Sequence, residues 1–456
     1  MDLEDATRDL RVMLGDPRTA VVAMSVPLIF SFLVVQVNSF ADASWCSMLG
    51  VEATSATATI GPVYWIISGM GTGLGVGAST AIARHLGARD KQSADGLVTQ
   101  TVAVSAIIGI AFTPVLWAVI DPSITMMGAD GIRGECRDYI LPIVACTPAF
   151  VLNGVIAGIL RSEGAAKRST AMLMVAAVLN IVLDPMFMFV LDMGVAGAGW
   201  ATSASTMTST AVGIWWYARG SMYLSMSFKG FRWNWDEIGE VLAVAVPRAT
   251  EFALISFMCM VQRIFIFACA GSEGAALYNI PWRYITLVEV VSQAVGSAII
   301  PIASAAIGQN DYRKAAEANR YGLRVSLAPM IAMTAVLFVF ADIAMVPLTM
   351  SDSMTALRPE FAWVLRVFAL CIPFVGIMDI ASSVLQSLRL AQFSLLCTFA
   401  RHGLTVLLLA VTYTVSFEAV IASVLVAEIF GAAIMAYVAR KEFAKASSEA
   451  VLAPSF

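Results

Sequence analysis

Charged side chains and histidine are the residues that this sequence lacks most. Only 13% of the 456 residues are charged, whereas soluble domains carry roughly 25%. The two histidines, His85 and His402, are too few for a multi-histidine metal site. None of the seven cysteines has a Cys-x-x-Cys or Cys/His metal spacing, and Cys136 alone is predicted to lie in a polar outer loop. We therefore expect no cofactor and no metalloenzyme, and no basic patch indicates a nucleic-acid partner.

Hydrophobic residues make up 59% of the chain, a composition typical of an integral membrane protein. Windows of about 20 apolar residues predict twelve membrane-spanning helices. The first 18 residues are polar and acidic and lack the features of a cleaved signal peptide, so the first span is expected to serve as an uncleaved insertion signal. The predicted spans cover residues 19–47, 54–82, 96–119, 139–160, 169–191, 195–218, 239–270, 275–304, 321–346, 361–388, 393–414 and 418–439.

The placement of the basic residues predicts the orientation. Most of the 28 lysines and arginines fall at the two ends of the chain and in alternate loops, and few fall in the opposite loops. Because positive charge is retained on the cytoplasmic side, both termini are predicted to be cytoplasmic in a multi-pass protein of the plasma membrane. Three arginines, Arg248, Arg263 and Arg283, fall inside predicted spans and need partners there.

The chain also contains an internal duplication. A displacement of 220 to 221 residues aligns Val26-Pro27 with Val246-Pro247 and Gly87-Ala-Arg-Asp90 with Gly308-Gln-Asn-Asp311. Because each half has an even number of spans, the halves are parallel repeats related by an axis along the membrane normal. The predicted fold is therefore all-α, with twelve transmembrane helices in two six-helix bundles related by pseudo-twofold symmetry. The predicted parts are an N-terminal segment (1–18), an N-lobe (19–218), a cytoplasmic linker (219–238), a C-lobe (239–440) and a cytoplasmic tail (441–456).

Polar groups inside two of the apolar spans indicate an ion site. Asn180 and Asp184 lie one helical turn apart in the fifth span, and Asn38 and Asp42 have the same spacing in the first. Thr202 falls at a compatible depth in the sixth span. We predict that Asp42, Asn180, Asp184 and Thr202 supply oxygen ligands for H⁺ or Na⁺. The structural alternative is a helix break capped by Asp184 and an interhelical hydrogen bond from Asn180.

Other side chains form weaker candidates. Pro27 is expected to kink the first span and is a candidate hinge. The glycine run Gly69 to Gly77 resembles a phosphate loop but lacks a following Lys-Ser/Thr, and it is interpreted as close helix packing. Buried charges in the second half serve either as pairs that hold helices together or as a second ion or substrate site. The candidate second charge or substrate site comprises Gln36, Asn38, Asn153, Glu251 and Asp379.

Several of these features together resemble a known family. Val26-Pro27, Gly50, Gly87-Ala-Arg-Asp90 and Asn180-x-x-x-Asp184-Pro, with Asp42, are similar to the multidrug and toxic compound extrusion (MATE) transporters, most closely the prokaryotic DinF-like branch, over residues ~16 to 443. The resemblance implies a cation site at Asp42, Asn180, Asp184 and Thr202 and a kinking first helix at Pro27. The chain departs from the family at Leu385-Gln-Ser-Leu-Arg389, where Leu-Gln-Gly-x-Gly is usual.

The sequence thus predicts an ion-coupled antiporter rather than an enzyme. We expect it to export an amphipathic, cationic organic compound by alternating access between its two lobes, as a monomer among membrane lipids, with H⁺ or Na⁺ as the coupling ion. No ATP-binding motif occurs, so the energy must come from an ion gradient. The main alternative is a flippase for lipid-linked saccharides or lipids. A membrane-embedded enzyme or a receptor is disfavoured, because the spans carry no nucleophile or zinc motif and a duplicated set of buried acids has no obvious use in a receptor.

Overall fold

A computed structural model describes residues 3–229, 232–349 and 352–452, and within them every regular element is a helix. The end residues 1–2 and 453–456 and the linker residues 230–231, which the predicted parts include, lie outside the described residues. The α-helices are α1 (Leu3–Leu14), α2 (Pro17–Leu49), α3 (Val51–Gly87), α4 (Lys91–Met126), α5 (Arg133–Ala145), α6 (Thr147–Ser162), α7 (Ala166–Pro185), α8 (Gly194–Ala218), α9 (Trp235–Gly308), α10 (Tyr312–Val339), α11 (Ala341–Met345), α12 (Asp352–Ala356), α13 (Arg358–Ala369), α14 (Ile372–Ser387), α15 (Ala391–Thr412) and α16 (Phe417–Leu452).

Within the described residues, these helices account for the twelve predicted membrane spans. In the described part of the chain nine helical segments are long and apolar enough to cross a bilayer, and the pair α5 and α6, bent by 55°, makes a tenth. The long helix α9 holds two spans, because its backbone is non-helical at Ala270 and Gly271. The 25 residues of α8, about 37 Å of helix, provide the last. The predicted all-α fold of two six-helix bundles is confirmed.

The two halves repeat each other in backbone detail. Arg89 and Asn310, 221 positions apart, adopt left-handed φ angles of 62° and 58°. The following residues, Asp90 and Asp311, cap α4 and α10, each accepting a hydrogen bond from the backbone N–H three residues further on. A non-glycine residue seldom adopts positive φ. The same conformation at both positions is therefore the structural trace of the duplication.

The lobes contact each other at the end of the molecule that holds the start of α2 and the ends of α3 and α9, which we name the terminal face. A Cβ atom added to Gly87 would lie 2.0 Å from the carbonyl oxygen of Ala305. A Cβ atom added to Gly308 would lie 2.1 Å from the carbonyl oxygen of Arg84. Gly308 and Ala305 each lie 221 positions after Gly87 and Arg84, so these two contacts are related by the pseudo-twofold axis. Backbone contact at both places closes the terminal face.

The glycine run of α3 packs against two neighbouring helices. A Cβ atom on Gly75 would lie 2.2 Å from the carbonyl oxygen of Gly154 in α6, and one on Gly77 would lie 2.3 Å from that of Val241 in α9. Small residues allow helix backbones to come this close in a membrane. The prediction of close helix packing rather than a phosphate loop is confirmed.

Two predictions about single residues need correction. Cys136, predicted to lie in a polar outer loop, is fully buried at 0% exposure in α5, where it packs with Ala56 and Ile140. The hydropathy of this region is low because α5 turns several polar side chains outward, and that average concealed its buried face. The set of arginines inside spans was also incomplete, because Arg401 lies within α15 and pairs with Glu428 of α16.

Candidate functional site

Helices α2 and α7 bring four polar side chains into one cluster. The amide of Asn38 donates to Oδ1 of Asn180 at 2.8 Å and lies 3.4 Å from Oδ2 of Asp42. The amide of Asn180 in turn donates to Oδ1 of Asp184 at 2.9 Å and lies 3.5 Å from the hydroxyl oxygen of Thr202 on α8. The four-residue spacing within each helix puts both members of each pair on one face. The structure therefore brings all four predicted ion-site residues together, with Asn38 as a fifth member.

The two carboxyl groups of this cluster are the N-lobe acid pair, Asp42 and Asp184. Asp184 is 1% exposed and Asn180 is 3% exposed. The carboxyl groups lie within hydrogen-bonding reach of each other, yet Oδ1 of Asp42 and Oδ2 of Asp184 are buried without a hydrogen-bond partner. Buried polar atoms are nearly always paired, so an unpaired oxygen on each acid makes this pair the candidate place for a proton or a cation.

The backbone at Asp184 is irregular. Helix α7 ends at Pro185, and one π-helical turn, Met186–Val190, follows. Proline cannot donate the hydrogen bond that would continue the α-helix. The hydrogen bond recorded for the Asp184 side chain comes from Asn180 and not from a freed backbone group, which disfavours the capping alternative. The change of helix type places the end of α7 beside the cluster, and π-turns occur frequently at functional sites.

Pro27 lies within α2, which continues as a helix from Pro17 to Leu49. It precedes Asn38 by eleven positions, about 16 Å along the helix axis. A proline inside a helix removes one backbone hydrogen bond and is a usual place for a kink. The hinge role of Pro27 stays a prediction.

The candidate second charge or substrate site does not form one cluster. Gln36 on α2 lies 3.5 Å from the carbonyl oxygen of Thr286 on α9 and so connects the two lobes. Asn153 on α6 donates to the hydroxyl groups of Ser209, at 2.9 Å, and Thr210, at 3.2 Å, on α8. Asn38 belongs to the N-lobe cluster. These three side chains therefore have different local roles.

Glu251 is engaged in a separate C-lobe network. Its carboxylate pairs with Arg248 at 2.7 Å and accepts hydrogen bonds from Thr398 at 2.6 Å and Ser394 at 3.3 Å. Each oxygen atom of this buried acid is thus satisfied. Removing one member of such a pair usually costs about 3 to 5 kcal/mol of stability. These contacts favour a structural role for Glu251, which stays a prediction.

Asp379 has different partners from Glu251, and no hydrogen bond joins the two acids. Its carboxylate accepts a hydrogen bond from the Ser292 hydroxyl on α9 at 2.6 Å. One turn before Ser292, Glu289 accepts from Gln293 at 3.0 Å. Glu251 and its partner Arg248 nevertheless interact electrostatically with Asp379, so the prediction that Glu251 and Asp379 could meet stays a prediction. The acids of the C-lobe take part in several hydrogen-bonded groups.

The Arg401–Glu428 pair was missed in the choice of candidate residues. Arg401 pairs with Glu428 and lies 2.6 Å from Nε2 of His402, whose Nδ1 lies 3.3 Å from the amide of Gln262. The sequence feature that could have predicted this pair is an arginine and a glutamate at similar depth in consecutive spans. The position of Arg401 nine residues into the span made it look like part of the preceding basic loop.

Two six-helix bundles with a buried acid cluster define a two-lobed, multi-pass membrane protein of the transporter type. The sequence model of the MatE family matches residues 27–186 and 247–412. The match covers most of the chain and falls once in each half. The chain belongs to the MatE family.

Three known proteins illustrate the similarity. The multidrug export protein MepA of Staphylococcus aureus strain NCTC 8325 is 26% identical over 245 residues, 53% of this chain and 53% of that protein. A MATE protein crystallised in complex with MaL6 has a TM-score of 0.92 and 26% identity, covering 97% of this chain and 100% of that chain. A MOP superfamily transporter from Pyrococcus furiosus, described as having a binding pocket of reversed polarity that suggests a different function, has a TM-score of 0.92 and 26% identity, covering 96% and 99%.

These alignments differ in extent. The chain spans about half the length of the curated relatives it matches by sequence, whereas the match to solved structures extends over nearly all of it. The fold is thus shared along nearly all of the chain.

Proposed function

We propose that the protein exports organic compounds in exchange for a coupling ion that binds at the N-lobe acid pair. The observation that carries this proposal is the pair of unpartnered, buried oxygen atoms on Asp42 and Asp184. Two adjacent carboxylates in surroundings of low dielectric repel each other strongly when both are charged. A structural ion pair would contain a lysine or arginine, and the recorded contacts of this cluster involve none. The cluster is thus built to change its charge.

We propose H⁺ as the coupling ion. A single proton shared by the two acids would satisfy both unpartnered oxygen atoms. For Na⁺, the cluster would have to offer further oxygen ligands. Oδ1 of Asn180 already accepts a hydrogen bond from Asn38, and the Thr202 hydroxyl donates to the carbonyl oxygen of Ala198 at 2.9 Å. The buried Oδ1 of Asn38 also has no hydrogen-bond partner, so Na⁺ would find three free oxygen atoms in the cluster. Its remaining ligands would have to come from Asn180 and Thr202, whose present hydrogen bonds would then change, whereas protonation requires no such change.

In the proposed coupling, the proton and the cationic substrate compete for the negative charge of the N-lobe acid pair. When Asp42 and Asp184 hold no shared proton, the cluster attracts a cationic substrate. Protonation neutralises the cluster and favours release of the substrate, and bending of α2 at Pro27 would link this change to the neighbouring helices. An ion can shift the equilibrium between two conformations only as far as its affinities for them differ.

The charges of the interior support a cationic, amphipathic substrate. The N-lobe cluster holds two acids. In the C-lobe, Arg248 and Arg401 are each paired with a glutamate, and Asp379 is a further buried acid. The S. aureus relative is described as a multidrug export protein. A flippase for an anionic lipid-linked saccharide would need a basic interior, and the fold alone does not exclude it because transporters with differing pockets share this fold.

Gradients imposed one at a time test the proposal. We expect the purified protein in liposomes to transport a fluorescent organic cation when a pH gradient alone is imposed, and not when a Na⁺ gradient alone is imposed. Liposomes without protein supply the leak rate. Transport driven by Na⁺ alone would contradict the choice of ion, and transport insensitive to both gradients would contradict ion coupling altogether.

The proposed orientation places both chain ends and the terminal face in the cytoplasm. Cys136 is buried and cannot report it, so we choose two exposed positions, Gly134 and Lys441. The background for both is a variant in which the partly exposed cysteines are replaced by serine, namely Cys146, Cys259 and Cys269. In this background, Gly134→Cys should react with an impermeant maleimide added outside intact cells. Lys441→Cys should react only after the membrane is permeabilised. The reverse pattern would invert the topology.

A further inference from the structure

The linker between the lobes is attached to the N-lobe at several points. Asp95 accepts a hydrogen bond from the backbone N–H of Ser225 at 2.8 Å, and the Thr99 hydroxyl accepts one from that of Ser227 at 3.2 Å. Next along α4, Gln100 accepts from the backbone N–H of Asn234 at 2.8 Å. Side chains of one N-lobe helix therefore hold the linker main chain as far as the start of α9.

Glu163 is the central attachment at the start of the linker. This residue lies between α6 and α7 and is 0% exposed. One carboxylate oxygen accepts a hydrogen bond from the Tyr217 hydroxyl at 2.5 Å. The other accepts from the backbone N–H groups of Tyr223 and Leu224, each at 3.1 Å. A single buried carboxyl group thus fastens the end of α8 and the first turn of the linker to the loop that precedes α7.

Other parts of the N-lobe enclose this carboxyl group. Arg168 of α7, 1% exposed, donates to the carbonyl oxygen of Ser221 at 2.7 Å. Helix α1 covers the same loop, because a Cβ atom on Gly164 would lie 2.5 Å from the carbonyl oxygen of Asp9. The titratable and charged groups on the elements packed around Glu163 are Asp9 of α1, Lys91 and Asp95 of α4, Arg161 of α6, Lys167 and Arg168 of α7, Tyr217 of α8 and Tyr223 of the linker.

We propose that residues 219–229, with Asn234, form a strap that Glu163 locks to the N-lobe, and that the strap is released as the pH at the terminal face rises. While locked, the linker residues that the structure describes move with the N-lobe up to Asn234, where α9 begins. After release, the same segment becomes a longer tether between the lobes. This inference concerns the linker and does not depend on the coupling ion or the substrate.

The direction of the pH dependence follows from burial. Burial raises the pKa of Glu163 from an ordinary value of 4.5 to about 7, against the lowering effect of its hydrogen-bond donors and Arg168. A released strap would expose the carboxyl group and return its pKa to the ordinary range. The locked state therefore binds the proton more tightly, and it loses stability as the pH rises from 4.5 through about 7. Between pH 6 and pH 8 the equilibrium for release should shift by about tenfold toward the open strap.

The side chain of Leu224, 2% exposed, supplies the readout. Leu224→Cys, in the variant that lacks the partly exposed cysteines, should react slowly with a soluble maleimide in the membrane-embedded protein. Ser227→Cys, at an exposed position of the same linker, supplies the reference rate, because maleimide reactions themselves accelerate with pH. We expect the ratio of the Leu224→Cys rate to the Ser227→Cys rate to rise by about tenfold from pH 6 to pH 8.

Two further substitutions distinguish a pH-sensitive lock from general loosening. Glu163→Gln keeps the size of the side chain but cannot ionise, so the ratio should no longer depend on pH. Asp95→Asn weakens a neighbouring attachment without changing Glu163. It should therefore raise the ratio of the two labelling rates at every pH, and the ratio should still increase by about tenfold from pH 6 to pH 8. A ratio that is independent of pH in the parent, or a slope that survives Glu163→Gln, would overturn the proposal.

Hydrogen exchange provides a second measurement that needs no introduced cysteine. The backbone N–H groups of Tyr223 and Leu224, which donate to Glu163, should be protected at pH 6 and less protected at pH 8, after correction for the intrinsic exchange rate. Glu163→Gln should remove this difference in protection. Equal protection at both pH values in the parent protein would contradict the proposal even if a cysteine variant failed to fold.

Discussion

Export against a concentration gradient is expected to fall to the leak rate when Asp42 is replaced by asparagine. The substitution keeps the shape of the side chain and replaces one carboxyl group of the N-lobe acid pair by an amide, which is always neutral. The remaining acid, Asp184, then has no neighbouring charge to drive uptake and release of the proton. Because the substitution removes a buried repulsion, the variant should fold and insert normally. Transport in liposomes under an imposed pH gradient, together with the midpoint of thermal unfolding, measures both effects.

Asp184→Asn should have the same effect as Asp42→Asn, and the double variant should be no worse than either single variant. Residues that act as one unit show this non-additivity, because the first substitution already removes the shared function. Glu52→Gln is a matched control, since it neutralises an exposed acid outside the cluster. Gradient-driven export that survives in the double variant would show that another site couples the ion to the substrate.

A methyl group at either of two glycines should prevent closure of the terminal face. In Gly87→Ala the new carbon atom would lie 2.0 Å from the carbonyl oxygen of Ala305, and in Gly308→Ala it would lie 2.1 Å from that of Arg84. Both obstructing atoms belong to helix backbones, which cannot move aside without separating the lobes. We expect each substitution to lower transport by at least about tenfold, a cost of roughly 1.4 kcal/mol or more in the step that closes this face.

The distance between spin labels at Gln92 and Gln309, both exposed on the terminal face, reports the closure. It should increase in both glycine variants and by similar amounts, because the two contacts are related by the pseudo-twofold axis. Gly96→Ala is the control, since a Cβ atom there meets no atom within 4 Å. An unchanged distance with normal transport in Gly87→Ala would show that these contacts do not limit the cycle.

Much of the fold could be predicted because the bilayer constrains it. A spanning segment must be apolar and helical, so hydropathy finds most spans without knowledge of their packing. The repeat of Gly87-Ala-Arg-Asp90 at Gly308 predicted the pseudo-twofold axis, and the left-handed residues Arg89 and Asn310 show the same backbone turn in both halves. The acid pair could be found for a similar reason, since an ionisable side chain in an apolar span is costly and therefore conspicuous.

Other features could not be predicted from the sequence, because hydropathy is averaged over a window of residues. The bend between α5 and α6 divides a span that was predicted as one helix. The buried face of α5 that contains Cys136 was hidden among outward-facing polar residues. The attachment of the linker was also unforeseen, because the hydrogen bonds that Asp95 and Glu163 accept from backbone N–H groups more than 50 positions away leave no periodic pattern.

The sequence by itself determined that the chain crosses the membrane repeatedly, that its halves are duplicates, and that Asn38, Asp42, Asn180 and Asp184 carry polar groups on helix faces. These properties follow from local composition and from the 3.6-residue period, which need no knowledge of neighbours. Only the tertiary structure decided which faces meet. Contacts between distant segments depend on helix rotation and tilt, and these are set by packing. Packing joined α2 to α7 at the acid pair and placed the buried carboxyl group of Glu163 against the linker.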